Sequence, residues 1–172
     1  MIIRHATEQD CPTIATIYNH AVVHTAAIWN DKTVDAQNRV EWLAARRNAG
    51  YPVLVMDDNG EVSGYASFGD WRAFDGFRHT IEHSVYVHPD HQGKGIGRAL
   101  MVQLIDEARA IGKHVMVAGI EAQNVASITL HQSLGFVISA QMPQVGTKFG
   151  RWLDLTFMQL QLYTRSEPDA IG

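Results

Sequence analysis

The chain has 172 residues, 46% of them hydrophobic and 19% charged, and a formal net charge of −4 at pH 7. This size and balance predict a globular protein with one domain and exclude an intrinsically disordered chain. The acidic charge excludes a general attraction to nucleic acid or to anionic membranes, and no apolar stretch reaches the roughly 20 residues that a membrane span needs.

The N-terminal residues and the cysteine content predict a cytoplasmic protein. Residues 1–10 mix charged and apolar side chains and lack the apolar core of a secretory signal. Cys11 is the single cysteine and cannot form an internal disulfide, which fits a reducing compartment. Because Cys11 precedes Pro12 at the start of a predicted helix, we expect a buried structural thiol rather than a nucleophile.

The first third of the chain predicts one strand and two helices. Residues 2–6 predict a short strand, and Thr7 with Asp10 forms a capping-box pattern ahead of apolar residues at helical spacing. A second helix is expected over residues 34–48, ended by Gly50.

Two β-rich runs follow, 51–56 and 61–68, on either side of Asn59-Gly60. An Asn-Gly pair between such runs is typical of a tight hairpin turn. The sequence therefore predicts an antiparallel pair of strands at this point.

The remainder of the chain alternates strands and helices. The expected elements are a loop at 71–80, a strand at 81–87, a glycine-rich turn at 92–97, a helix at 96–111, a strand at 115–120, a helix at 124–135 and two strands within 136–162. The run at 115–120 is continuously apolar, which predicts a buried strand parallel to the one before it. Apolar residues change parity between Phe157 and Leu160, which predicts a bulge in the last strand. We expect a mixed α/β sheet in one domain, residues 1–163, and a flexible tail, residues 164–172.

The glycine-rich turn between a strand and a helix indicates an anion site. Bare glycines let backbone amides approach a phosphate, and the helix N-terminus favours negative charge. Lys94 and Arg98 add positive charge, although a tight turn with solvated charges explains the same residues. A Walker loop is excluded because Gly95, not Ser or Thr, follows Lys94, and a dinucleotide-binding loop fits poorly because Arg98 occupies its third glycine position.

Four motifs of the chain resemble those of one enzyme family. They are Gln92-x-x-Gly95-x-Gly97, Gly69 to Arg72, Glu82 to Val87 and Leu130 to Phe136. Together they resemble the GNAT acetyltransferases over nearly the whole chain, and within that family the subgroup that acetylates phosphinothricin, methionine sulfoximine and methionine sulfone. The resemblance implies the GNAT fold, a central, mostly antiparallel sheet flanked by helices. It also implies a homodimeric, detoxifying N-acetyltransferase that takes its acetyl group from acetyl-CoA and uses no metal.

The same resemblance implies which residues bind acetyl-CoA. A strand segment pairs with the pantetheine arm, the glycine turn holds the pyrophosphate, and two polar side chains reach the cofactor from the next helix. In that order, the residues are Val85, Tyr86 and Val87, then Gly93, Lys94, Gly95, Ile96, Gly97 and Arg98, and last Asn124 and Ser133. Core packing is the alternative role of Val85 and Val87, and a helix cap is the alternative role of Asn124.

Glu82 is the candidate catalytic base. Acyl transfer to an amine needs a group that accepts the proton of the amine, and an acid among Ile81, Val85 and Val87 should have a raised pKa. An ion pair with a nearby arginine is the alternative role. In many members of the family a tyrosine protonates the departing thiolate, but the corresponding position holds His131 here, which leaves the general acid unassigned.

The loop at 71–80 is the candidate acceptor-binding segment. Arg72 and Arg78 bracket Phe74 and Phe77, a combination that can bind a carboxylate and pack an apolar side chain. A loop that covers the core or contacts a second copy of the chain is the alternative. By resemblance, the acceptor pocket is lined by Arg72, Ala73, Phe74, Glu82, His83 and Ser84.

Three other functions compete with this interpretation. The same cofactor site would serve an acetyltransferase of protein N-termini or of polyamines, although arginines in the loop would repel polyamines. An acyl-CoA-binding protein without turnover is the third possibility. A zinc site at the closely spaced histidines 79, 83, 88 and 91 is not expected, because no cysteine supports it.

Overall fold

The computed structural model describes residues 1–169 and contains one seven-stranded sheet. The helices are α1 Cys11–His24, α2 Ala36–Asn48, α3 Ile96–Ala110 and α4 Val125–Ser133. The strands are β1 Ile2–His5, β2 Val53–Asp58, β3 Glu61–Asp70, β4 Thr80–Val87, β5 Val115–Glu121, β6 Val137–Lys148 and β7 Arg151–Gln161. Their order in the sheet is β1-β2-β3-β4-β5-β7-β6, and every neighbouring pair is antiparallel except β4 and β5. The predicted mixed α/β, mostly antiparallel sheet and its one parallel pair are thus confirmed.

The helices cover both faces of this sheet. On one face, α1 and α2 pack on a cluster that includes Val53, Val55 and Tyr65. On the other face, α3 packs on a larger cluster that includes Phe68 and Ile81. Because side chains alternate along a strand, neighbouring residues of β4 contact opposite helical layers.

The predicted turns and caps form with small shifts. Asn59 and Gly60 both adopt positive φ, 55° and 93°, as the tight hairpin between β2 and β3 requires. Asp10 closes the capping box with Thr7 around a 3-10 turn, Glu8–Asp10, that leads into α1. The second helix begins at Ala36 rather than 34 because the Asp35 carboxylate accepts from the Asn38 N–H and caps it. Cys11 is fully buried in α1.

The bulge predicted in the last strand is wrong. β7 pairs with β5 without interruption, and the extra residues lie in β6, at Ser139 and at 143–145. The change of parity in β7 has another cause: Leu155 and Phe157 contact the α1 and α2 side of the sheet at Gly119, whereas Met158 and Leu160 pack in the larger cluster on the other side.

The predicted tail is described as far as Asp169, and residues 170–172 lie outside the described residues. Arg165 donates to the Gly112 carbonyl, and the Asp169 carboxylate pairs with Arg78 at 2.7 Å. Within residues 1–169, no helix combines the length and apolarity that crossing a bilayer demands.

Candidate active site

The candidate site lies where β4 and β5 separate. The two parallel strands pair only from Thr80–Val115 to Glu82–Val117. On its other side β4 stays paired with β3 as far as Val87. From His83 to Val87, the edge of β4 that faces β5 therefore has no strand partner among residues 1–169, and its backbone groups are open to an extended ligand.

Two adjoining cavities fill this opening. The smaller, about 110 Å³, lies between β4 and β5 and is bordered by His83, Gly119, Asn124 and His131. The larger, about 370 Å³, continues between α1 and α4 toward Gln92 and Gly97. Both are lined by Val85, Tyr86, Ala27, Asn124 and Ser127. The cavities thus form one groove that runs from the middle of β4 to the N-terminus of α3.

The glycine turn meets the groove with free backbone donors. Gly93 and Gly95 adopt left-handed φ angles of 76° and 77°, and a Cβ on either would touch nothing within 4 Å. The first backbone bond of α3 is from Ala99 to the Gly95 carbonyl, which leaves the N–H groups of residues 96–98 without a partner in the helix. Such a set of amides at a helix N-terminus favours an anion.

Polar side chains surround this turn. The Arg98 guanidinium donates to the Ser133 hydroxyl at 2.7 Å, and that hydroxyl donates to the Leu130 carbonyl. Lys94 is exposed and lies 3.4 Å from the Asp90 carbonyl oxygen. Asn124 caps α4 by accepting from the Ser127 N–H at 3.1 Å, so the predicted cap is present, while the residue also borders the groove.

Glu82 stands at the point where the strands part, on the α1 and α2 side of the sheet. A Cβ on Gly119 of β5 would be 3.5 Å from its Oε1 and 3.6 Å from the Phe157 ring. The missing side chain at Gly119 therefore leaves room for the carboxyl. No group within residues 1–169 donates a hydrogen bond to it, and burial raises its pKa, as expected. The alternative role in an ion pair with arginine does not occur among the described residues.

His83, the next residue, contacts the other side of the sheet. Its imidazole is buried against Phe136 and His131, and its Nε2 is 2.9 Å from the Nε2 of His131. His131 is only 1% exposed, and its Nδ1 lies 2.7 Å from the Ser127 carbonyl oxygen. Burial lowers the pKa of both rings, that of His83 to about 3. The His83 ring thus lies on the opposite face of the sheet from the Glu82 carboxyl, although His83 and Ser84 both line the smaller cavity.

The two arginines of the 71–80 loop, Arg72 and Arg78, contact different parts of the chain. Arg72 is exposed and its guanidinium lies over the Trp71 ring, with 4.9 Å to the centroid. Trp71 in turn contacts Phe157, which places Arg72 near the Glu82 side of the sheet. Arg78 instead pairs with Asp169, and Phe74 is 77% exposed. Ala73 is exposed beside it.

Several residues of the site were not predicted from the sequence. Gly119, Leu155 and Phe157 surround the Glu82 carboxyl, and Ala27 borders both cavities. A glycine inside an apolar strand indicates a close approach, so Gly119 carried a readable signal. The others depend on strand register and on a loop, which no local pattern predicts. Among residues 1–169, no three His, Cys, Asp or Glu side chains meet in a metal-binding arrangement.

The comparisons with known proteins agree with this geometry. The Acetyltransferase (GNAT) family matches residues 7–136. The L-amino acid N-acyltransferase MnaT of Escherichia coli (strain K12) is 76% identical over 172 residues, 100% of both chains. The L-methionine sulfoximine/L-methionine sulfone acetyltransferase of Salmonella typhimurium is 71% identical and is covered over 99% of both chains. A solved structure of yncA from Salmonella typhimurium with its cofactor acetyl-CoA superposes with a TM-score of 0.96, at 70% identity, over 99% of this chain and 98% of that one.

Proposed function

The chain belongs to the GNAT acetyltransferase family, and on this premise we propose that it transfers the acetyl group of acetyl-CoA to the α-amine of small amino-acid analogues. Methionine sulfoximine and methionine sulfone, named for a relative 71% identical, are the proposed acceptors, and their detoxification is the proposed purpose. The observation that carries the proposal is the position of Glu82, a carboxyl with no hydrogen-bond donor among residues 1–169, beside Gly119 of a groove that ends on a helix N-terminus.

The groove supports acetyl-CoA as the ligand because it joins an open strand edge to a helix N-terminus. We assign the open edge of β4, Val85 to Val87, to the pantetheine arm and the turn from Gly93 to Arg98 to the pyrophosphate. Free amides at residues 96–98 and the Arg98 guanidinium supply the positive potential that the acidic chain otherwise lacks. We assign Asn124 and Ser133 to the same ligand, since both lie along α4 beside the groove. The bound molecule supplies a reactive acetyl thioester.

Glu82 supplies the proton chemistry. A neutral amine attacks the thioester carbonyl, so that a C–N bond forms and the C–S bond breaks. Glu82 accepts the proton that the amine loses, directly or through water, and its raised pKa makes it a better base than an exposed glutamate. An unpaired amide of β4 can polarise the thioester oxygen. The departing coenzyme A thiolate takes up one proton, from water or from the protonated Glu82, so that protons balance over the reaction.

We place the acceptor on the Glu82 side of the sheet. Ser84 faces this side two residues along β4, and Arg72 lies near it on the loop, followed by the exposed Ala73 and Phe74, which we assign to the same pocket. The contact between Trp71 and Phe157 gives an apolar wall for the side chain of the acceptor. His83 contacts the opposite layer, so we assign it to the cofactor side of the site.

We also propose that the chain acts as a cytoplasmic homodimer with one catalytic domain, residues 1–163. The β6–β7 hairpin exposes the apolar side chains of Val137, Ile138, Met142, Val145, Phe149 and Trp152. An exposed apolar surface of this kind on a soluble domain typically meets a partner. Light scattering of the wild type and of Trp152→Glu tests this: a dimer that the substitution dissociates supports it, and a monomeric wild type contradicts it.

Thiol release from acetyl-CoA tests the activity. The acceptors are methionine sulfone, methionine sulfoximine, phosphinothricin, a peptide and spermidine. We expect turnover with the amino-acid analogues. Turnover with the peptide alone would reject the proposed acceptor class, and calorimetry that finds no affinity for coenzyme A would reject the whole proposal.

A further inference from the structure

Arg46 of α2 occupies the place of a missing side chain on β3. A Cβ built on Gly69 would overlap the Nη1 atom of Arg46, so the guanidinium lies directly on the strand. The Trp42 ring supports it from the helix, with 5.8 Å between the ring centroid and the Arg46 Cζ. Gly69 thus lets a cation from α2 reach the surface of the sheet.

Among residues 1–169, the Arg46 guanidinium has no hydrogen-bond or ion-pair partner. No carboxylate within residues 1–169 lies within ion-pair distance of it, and its Nε is buried without a hydrogen bond. Asp70, the carboxylate that most favours the charged form of Arg46, accepts instead from the Tyr51 hydroxyl, which Lys113 also contacts at 3.1 Å. Burial therefore lowers the pKa of Arg46, with only partial compensation from Asp70. An arginine with five donors and no acceptor, partly buried, is poised for a ligand.

This cation lies on the same face of the sheet as the catalytic carboxyl. Gly69 is directly opposite Glu82 in the register of β3 and β4, and residues opposite each other share a face. The Glu82 carboxyl leans away from Arg46, toward Gly119 on the next strand. A guanidinium at the position of Gly69 and a carboxyl near Gly119 are therefore separated by up to two strand spacings, roughly 10 Å.

We propose that Arg46 binds the α-carboxylate of the acceptor while Glu82 takes the proton of its α-amine. The proposal rests on the proposed function and names the group that makes the enzyme select amino acids over simple amines. In an α-amino acid the nitrogen and the carboxylate oxygens are about 3 Å apart. Two hydrogen bonds of about 2.9 Å extend this span to about 9 Å, so an α-amino acid can bridge two groups that are up to roughly 10 Å apart.

Arg72, the other arginine near the acceptor, is less suited to this task. It is exposed on a loop, and within the described part of the chain it is held by its contact with Trp71 alone. Ordering an exposed arginine costs side-chain entropy, whereas Arg46 is already fixed between Trp42 and Gly69. Arg46 can therefore give a stronger and more selective carboxylate contact.

A pair of acceptors tests the proposal: L-methionine sulfone and its decarboxylated form, 3-(methylsulfonyl)propylamine. In Arg46→Gln we expect kcat/KM for the amino acid to fall about 10- to 100-fold through KM, because a charged hydrogen bond is lost. The value for the amine should change less than about twofold, and KM for acetyl-CoA should not change. Arg109→Gln, an exposed arginine on α3, is the matched control and should leave all three constants unaltered.

Two further variants guard against a misfolded protein. Gly69→Ala displaces the guanidinium without removing it and should reproduce the selective loss, whereas Arg46→Lys should keep part of the selectivity. Equal losses for both acceptors in Arg46→Gln, or a selective loss in Arg72→Gln alone, would overturn the assignment. A wild type that fails to acetylate methionine sulfone would overturn the proposed function, and the inference with it.

Discussion

The imidazoles of His83 and His131 share one hydrogen bond, with 2.9 Å between their Nε2 atoms. The Nδ1 of His131 lies 2.7 Å from a carbonyl oxygen, that of Ser127, and must donate to it. In neutral His131 the Nε2 then carries no proton and accepts from His83. The pair therefore consists of two neutral rings in fixed tautomers, and His131 in this state has no proton on Nε2 to give to a thiolate in the groove.

This pair should make the protein sensitive to mild acid. In the unfolded chain a histidine titrates near 6.5, whereas burial keeps His83 neutral down to about 3. Between these values the unfolded state binds more protons, so the free energy of unfolding must fall as the pH falls. The slope reaches about 1.4 kcal/mol per pH unit for one histidine. In His83→Gln, denaturant unfolding at pH 7, 6 and 5 should show a smaller fall in the free energy of unfolding than in the wild type. His5→Gln, at an exposed site, is the control, and parallel curves for the wild type and His83→Gln would contradict the argument.

Glu82→Gln should abolish most activity and yet stabilise the fold. Loss of a general base lowers kcat by about 100- to 10,000-fold. The folded state raises the pKa of Glu82 because it buries the carboxyl, so it binds a proton more readily than the unfolded state. The contribution of Glu82 to the free energy of unfolding therefore declines as the pH rises through the raised pKa. At pH 7.5 the neutral glutamine of the variant avoids the cost of burying an ionised carboxyl.

Three measurements check the Glu82 prediction: thiol release, Tm at pH 7.5 and calorimetric affinity for coenzyme A. We expect lower activity, a higher Tm and unchanged affinity. Glu41→Gln on the exposed face of α2 should alter none of them. Full activity in Glu82→Gln, or a rate that does not depend on pH, would remove Glu82 from the mechanism.

The sequence predicted where the candidate residues lie along the chain better than which face of the sheet they contact. The positions of Glu82 on a strand and of the glycine turn before a helix follow from local pattern, a buried acid among apolar residues and bare glycines. The alternation of side chains along β4 was also readable and already places His83 opposite Glu82, but the residues were grouped as one pocket. Arg46 and Phe157 could not be predicted, because the packing of α2 on Gly69 and the register of β4, β5 and β7 place them on the Glu82 face of the sheet.

Gly95→Ala should weaken acetyl-CoA binding. Gly95 caps α3 with a φ of 77°, and an alanine there is strained by about 1–2 kcal/mol, which turns the free amides away from the phosphate. Gly50→Ala is a matched control, since Gly50 has a φ of 75°, equally open surroundings and no contact with the groove. Tm should fall by a similar amount in both variants, but only Gly95→Ala should bind coenzyme A more weakly in calorimetry. An equal affinity in the two variants would contradict the assignment of the turn to the pyrophosphate.

Lys148 should stabilise the segment between α1 and α2 that borders the groove. It is 4% exposed at the end of β6, and its ammonium donates to the carbonyls of Thr25 and Ile28 at 2.7 and 2.5 Å. These bonds fix the segment that carries Ala27, which borders both cavities, and Trp29, whose ring lies on Gly146.

Lys148→Met keeps the apolar stem of the side chain but leaves the two carbonyls without their donor, which should lower the free energy of unfolding by about 1–3 kcal/mol. Because the freed segment borders the groove, KM should rise severalfold for the acceptor and for acetyl-CoA, while kcat with both saturating should change less, since Glu82 keeps its place on β4. Lys32→Met, an exposed lysine between α1 and α2, is the control for loss of charge. Denaturant unfolding and steady-state kinetics measure both effects, and a Lys148→Met protein with wild-type stability would show that the ammonium does not hold this segment.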